Sequence, residues 1–435
     1  MDIGLRLKYH RVKRRKSLEE TARNILTPRE LKKIEAGEKE PSLQVLEALC
    51  KKLEIPLAPK DNPVGKVLVK NFKSALLHPQ NKGKIMEQYA DIHNHPLLHI
   101  DENIELEYSI QQIRYFIITG DLESAEEKIK EMERFKEFMD QEQFYLFHKY
   151  LGNYHYILND YETALNTYLL AEKIAPSHLA STEMGDLYYS IGISSSQCWE
   201  TDRAYKYTKM ALKIYQQEFI PKRIVECHSN IALSEFQFGN FKSAIEHYRN
   251  AYTIGSKLEN DILKFTTEYN YAYTYFLLQE YDIALIHLES SLQHIPPEYI
   301  ADILLSYTAL IKCNLEMERI NEAKEWIEKG IELKESNNLN MDSLNSDEFK
   351  ELYCEFICLV HLVNEEYDEY EKVVTGQLLP SLEANNHFHE LAYHYGHVGN
   401  VYSQQKKFEK AANCWNKSRQ AYRNLINYKM RSGVR

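Results

Sequence analysis

An alanine returns along this chain with a nearly constant period. Ala125, Ala164, Ala204, Ala244, Ala284 and Ala323 are separated by 39 or 40 residues. The surrounding segments share one form: GDLESAEEKI, NDYETALNTY, GNFKSAIEHY, QEYDIALIHL, ERINEAKEWI and, further on, KKFEKAANCW with Ala411. Each has an aromatic or aliphatic residue three positions before the alanine. The interval of 88 residues between Ala323 and Ala411 has room for one degenerate copy, around Tyr370 in EEYDEYEKV. Twelve positions before the alanine lies a second small residue in five copies: Gly152, Gly192, Ala232, Ala272 and Gly399. Ile113, Ile311 and Cys358 replace it elsewhere. Two small residues at a fixed spacing let consecutive helices approach closely. A chain built this way must bury the apolar face of each copy against the next.

The period predicts an all-α protein, and composition agrees. Fifteen glycines and 12 prolines in 435 residues are too few for a turn-rich β protein. Hydrophobic content of 44% with 27% charged residues suits a folded chain. The 32 tyrosines read as repeat packing. Seven scattered cysteines form no CxxC, so a reducing, cytoplasmic setting is expected. The charged start MDIGLRLKYHRVKRRK lacks a following apolar stretch, and no run of about 18 apolar residues occurs. Neither a signal peptide nor a membrane partner is expected.

Charge divides the chain. Residues 1–60 hold 15 Lys+Arg against 9 Asp+Glu, while the remainder holds 38 against 55. A head of net +6 on a body of net −17 suggests an anionic partner for the head alone.

Local signals in the head are dense. Ile3, Leu7 and Val12 fall roughly on one face of a first helix, with Arg6, Lys8, Arg11, Lys13 and Arg14 around it. Ser17 with Glu20 forms a capping box that starts a second helix, SLEETARNI. Thr27, Pro28 and Glu30 supply an N-cap, a first-turn proline and a second capping box, and Gly37 ends this third helix. Ser42 starts a fourth, with Leu43, Leu46, Leu49 and Leu53 as its apolar stripe. The short turn between Ala22 and Thr27 is where a helix-turn-helix bends. The third helix then offers Arg29, Lys32 and Lys33 to a major groove, with Arg14, Arg15 and Ser17 on the phosphate side. Residues 1–57 form this domain. A proline-rich linker with a connecting helix follows over 58–83, and the repeats occupy 84–435.

The series Glu19, Glu20, Ala22, Ile34, Glu35, Gly37, Pro41, Ser42, Leu43 and Leu46 resembles the phage-repressor-like (XRE) helix-turn-helix family. The interval from Ala22 to Ile34 is one residue shorter than in most of that family, as in its PlcR branch. The repeats resemble the tetratricopeptide repeat, which implies a right-handed α-solenoid of about eight copies. In that family the concave wall holds extended peptides. Registered on the small residue, Arg114, Lys149, Asn153, Asn230, Asn270, Lys312 and Asn400 fall on inward positions. An asparagine amide there offers a peptide backbone both a donor and an acceptor.

The combined architecture resembles the RRNPP group of Gram-positive regulators, with a repeat number like the longer NprR type. That resemblance implies a transcriptional regulator whose partners are double-stranded DNA, a short signalling peptide and further copies of itself. A competing reading is a module that sequesters or dephosphorylates a response regulator. The sequence presents no catalytic set: GxxxxGK[ST], GxGxxG after a strand and GxSxG are all missing. The histidine runs at His93, His95 and His99, and at His387, His389, His394 and His397, lack a completing cysteine or carboxylate pair. Cys354 and Cys358 read as core fillers one helical turn apart. No cofactor and no metal are expected.

Overall fold

The computed structural model describes residues 2–58, 61–77, 79, 82–95, 101–344, 346–385 and 387–431, with side chains as far as Asn424. Every regular element among them is helical. The chain divides into two compact units, Met1–Cys198 and Trp199–Arg435.

The first unit opens with four short helices: α1 (Ile3–Lys13), α2 (Leu18–Ala22), α3 (Pro28–Glu35) and α4 (Leu43–Lys52). Both capping boxes form. Ser17 Oγ accepts from the Glu20 amide at 3.1 Å, and Thr27 Oγ1 accepts from the Glu30 amide at 3.2 Å. Gly37, at φ +72°, ends α3 in a Schellman arrangement: its amide reaches the Ile34 carbonyl, and the Glu38 amide reaches that of Lys33. α2 is shorter than SLEETARNI suggests. It stops at Ala22 because Arg23 turns extended and Asn24 adopts a left-handed conformation, at φ +65°.

The head's core is Leu7, Ala22, Leu31, Ile34, Leu46, Leu49, Cys50 and Leu53. Three expected members lie outside it: Leu43, in the first turn of α4, is 63% exposed, Ile3 is 39% exposed, and Val12 is only half-buried. Gly4 lets α1 lie directly on α3, since a Cβ there would sit 2.1 Å from the Ile34 carbonyl oxygen. A backbone oxygen in a helix cannot give way. Gly4→Ala is expected to destabilise the head by about 1–3 kcal/mol, the usual cost of overpacking, as measured by denaturant unfolding.

Two connecting helices follow, α5 (Pro63–Leu77) and α6 (Lys82–His93). Eight consecutive helix pairs then run to the end. In chain order they are α7 (Glu102–Thr119) with α8 (Leu122–Glu133), α9 (Gln141–Ile157) with α10 (Tyr161–Ile174), and α11 (Ser181–Gln197), the last helix of the first unit, followed by α12 (Thr201–Gln217), the first of the second. Next come α13 (Pro221–Gln237) with α14 (Phe241–Gly255), α15 (Asp261–Leu277) with α16 (Tyr281–Ser291), and α17 (Ile300–Glu316) with α18 (Ile320–Ser336). The last are α19 (Asp347–Val363) with α20 (Tyr367–Val373) and, after α21 (Leu379–Ala384), α22 (Phe388–Gln404) with α23 (Phe408–Arg431).

The backbone repeats as faithfully as the sequence. Each pair turns through one left-handed residue: Gly120, Asn159, Trp199, Gly239, Gln279, Glu318, Glu365 and Lys406. Five residues after each lies the repeat alanine, and all seven alanines are fully buried. In the seventh pair that position is Tyr370, 1% exposed, and the helix behind it opens into a π-type turn over Val374–Leu378. The small residue on the first helix of a pair has an equally specific cause. A Cβ on Gly152 would lie 2.6 Å from the Tyr168 ring, and one on Gly399 would lie 2.4 Å from the Trp415 indole. Both aromatic residues stand one turn beyond the repeat alanine.

Candidate DNA interface and ligand groove

Arg29, Lys32 and Lys33 lie exposed on α3, and none of the three is held in an ion pair among the described residues. Their acidic neighbour Glu30 is occupied locally. Its carboxylate accepts from Lys39 Nζ at 2.8 Å and from the Thr27 amide at 3.2 Å, which hold its pKa down at about 2. The leading face of α3 therefore shows uncompensated positive charge.

The other head candidates are placed differently. Arg14 turns back on the head, with Nη1 3.2 Å from His10 Nδ1 and Nη2 donating to the Glu54 carbonyl at 3.5 Å. Ser17 is exposed at the start of α2, where its hydroxyl caps the helix. Arg15, exposed and left-handed at φ +52°, lines a crevice of about 660 Å³ with Arg134 and Lys130.

Most of the remaining basic side chains of α1 face carboxylates, as the spacing alone did not reveal. Arg11 forms a bidentate pair with Glu35 of α3, at 2.7 and 2.8 Å. Arg6 and His10 both reach Glu102 on α7, at 2.7 and 2.8 Å, while Lys13 and the Tyr9 hydroxyl reach Glu105. Lys8 pairs with Glu137. Burial alone would raise the Glu102 pKa, but the hydrogen bonds from His10 and Arg6 outweigh it and hold the group at about 2.

The groove candidates fall into separate places. In the first unit Lys149 is 1% exposed, with Nζ 2.6 Å from Glu183 Oε1 and 2.9 Å from Asp186 Oδ2 on α11. Burial opposes its charge, yet these two carboxylates raise its pKa. The neighbouring Asn153 amide donates to the Tyr168 hydroxyl at 2.9 Å. Arg114 is half-buried, close enough to Tyr150 and Tyr168 to bear on their ionisation.

In the second unit Asn270 and Lys312 line one cavity of about 360 Å³. Its apolar wall includes Leu233, Leu277 and Leu305, and its polar wall adds Tyr269, Tyr273, Glu355 and Glu390. Lys312 pairs with Glu355 at 2.8 Å and lies 4.9 Å from the centre of the Tyr393 ring. His394 also approaches Glu355, at 2.9 Å, and Tyr273 donates to Glu390 at 3.0 Å. Against the cost of burial, Lys312 and His394 hold Glu355 well below the usual carboxylate range. Asn230 is 9% exposed and donates to Thr208 at 2.7 Å. Asn400 is exposed and accepts from the Trp415 indole at 3.2 Å.

Tyr273, Glu355 and Glu390 belong to this cavity although the repeat register does not single them out. Glu390 is brought there across 117 residues, and nothing local marks it. Three histidines at the start of and along α22 have carboxylate partners: His387, its N-cap, with Glu351, His394 with Glu355 and His397 with Glu316. Among the described residues no three histidine, cysteine or acidic side chains converge as a metal ion would require. His99 lies outside the described residues. No helix among them is long and apolar enough to cross a membrane.

The four short helices of the head and the tetratricopeptide-like solenoid each have counterparts among known proteins. Residues 7–59 match the helix-turn-helix family. The chain is 24% identical to the transcriptional activator NprA of Geobacillus stearothermophilus over 412 residues, 93% of this chain and 100% of that one. The apo quorum sensor NprR from B. thuringiensis superposes with a TM-score of 0.66 at 21% identity, covering 83% of this chain and 98% of that one. NprR in complex with its cognate peptide NprX superposes at 0.59, with the same identity and coverage. The fold is thus that of NprR, and the sequence likeness to NprA runs along almost the whole chain.

Proposed function

We propose that this protein is a cytoplasmic transcriptional regulator that reads double-stranded DNA through α3 and is controlled by a short signalling peptide in the solenoid groove. The observation that carries the DNA half is that Arg29, Lys32 and Lys33 lie exposed on α3 with no ion-pair partner among the described residues, on a chain of net charge −11. The peptide half is supported by the cavity around Asn270 and Lys312 and by the likeness to a peptide-bound NprR. Of the groove candidates, Asn270 and Lys312 combine a backbone-reading amide with an adjacent apolar wall. Arg114 is the candidate for a peptide carboxylate. In the first unit Lys149 and Asn153 are engaged by Glu183, Asp186 and Tyr168, and in the second Asn230 is engaged by Thr208 and Asn400 by Trp415.

Control follows from linkage. A peptide shifts the protein only if it binds one arrangement of the solenoid better than another, and in a homo-oligomer that shift resets two heads on a two-fold DNA site. The test is calorimetry with short linear peptides enriched from a pooled synthetic library by the wild-type protein. Asn270→Ala is expected to lower their affinity about tenfold, the worth of one or two buried hydrogen bonds. Wild-type affinity in that variant would remove Asn270 from the site.

A further inference from the structure

The basic surface of α1 has an anionic partner within the chain itself. Residues 6, 9, 10 and 13 make one stripe along α1, at the i, i+3, i+4 and i+7 spacing. That stripe is closed against the first solenoid pair. Arg6 and His10 grip Glu102, Tyr9 and Lys13 grip Glu105, and the Tyr9 ring meets Phe135 and Phe138 at 5.4 and 5.5 Å between centroids. Arg6 also donates to the Pro56 and Leu57 carbonyls, at 2.9 and 3.2 Å, which ties the chain leaving the head to the same point. Arg6, Tyr9, His10, Glu102 and Glu105 are all at most 6% exposed.

The opposite side of α1 carries α3. Gly4 abuts the Ile34 carbonyl, and Arg11 holds Glu35 through two hydrogen bonds. The direction of α3 is thus transmitted from the body through one short helix, with ionic contacts on both of its sides. This docking covers none of Arg29, Lys32 or Lys33.

We infer that Glu102 and Glu105 of the solenoid are positioning residues of the DNA-reading head, and that the docked head is the DNA-binding state. The inference rests on the DNA-reading function proposed above. Holding the head in one orientation removes an ordering cost that a tethered head would meet at each encounter with DNA.

Glu105→Lys separates this inference from simple charge. The substitution makes the body less acidic, so long-range electrostatics alone would tighten DNA binding. Loss of the clasp would weaken it. The probe is a duplex selected from a random pool by the wild-type full-length protein, with affinity read by fluorescence anisotropy at fixed salt. Glu105→Lys is expected to bind about tenfold more weakly, since released orientational freedom must be lost again on binding. The linker around residues 56–58 should also be cut faster by protease. Lys13→Glu combined with Glu105→Lys rebuilds the pair with its signs exchanged and should recover most of the affinity, even though the head is then less basic. Glu102→Gln, neutral and of the same shape, should weaken binding in the same direction.

Unchanged or tighter binding by Glu105→Lys overturns the inference, and tighter binding would mean that docking restrains the head. A loss that the exchanged pair does not recover also overturns it. Failure of the wild-type protein to select any duplex would instead refute the DNA-reading function, a distinguishable result.

Discussion

Lys149→Ala is expected to lower the stability of the first unit by about 3–5 kcal/mol, the typical loss when one partner of a buried ion pair is removed. Lys149 Nζ lies between Glu183 and Asp186, whose side chains are each 6% exposed. Tyr145 donates to Glu183 as well, at 3.1 Å. Without the ammonium, two carboxylates on α11 remain out of water and close together. The carboxylates respond by taking up protons or by drawing α9 and α11 apart. Denaturant unfolding of the full chain, followed by a signal from the first unit, measures the loss. Adding Glu183→Gln and Asp186→Asn to the Lys149→Ala variant should recover much of it, because neutral amides are cheaper to bury than unpaired charges. A single variant as stable as the wild type would show that the site is hydrated and the pair contributes little.

Arg29→Ala together with Lys32→Ala should abolish selective DNA binding while leaving the head folded. Both side chains are exposed, and neither supports a neighbour in the head. An arginine that reads a base edge contributes about 1–3 kcal/mol, and a lysine on a phosphate changes the salt slope of binding by about 1. Anisotropy titrations over a range of salt separate the two roles. Loss of sequence preference assigns Arg29 to bases, and a shallower salt dependence assigns Lys32 to the backbone. Undiminished affinity for the selected duplex in both single variants would place the reading surface elsewhere on the head.

Within the head, the features legible in the sequence were those carried by near neighbours. Ser17 with Glu20 and Thr27 with Glu30 are three residues apart, and a capping box needs nothing beyond that spacing. Leu43 and the end of α2 were misread for the complementary reason. Whether an apolar residue is covered, or a helix continues past Ala22, depends on what packs there.

The groove divides along the same line. Asn270, two positions before the small residue of its repeat, and Lys312, one position after that of its own, both fall on inward positions and share a cavity. Asn230 obeys the same register, yet its amide turns to Thr208. Lys149, three positions before its repeat's small residue, also falls inward, yet lies almost wholly buried between two acids. Side-chain spacing states which wall a residue belongs to. It does not state which neighbour reaches that residue before a ligand can.

By itself the sequence determined the period, the eight helix pairs, the capped helices of the head and the unequal division of charge. All of these are written in spacings of three, four, twelve or about forty residues. Only the tertiary structure decided which charges remain available. The cations of α1 and those of α3 look alike in a composition count. Arg6 meets Glu102, 96 residues away, while Arg29 has no ion-pair partner among the described residues. Coulomb attraction acts through space rather than along the chain, so the fate of each cation was settled when α1 docked on the first solenoid pair and left α3 facing outward.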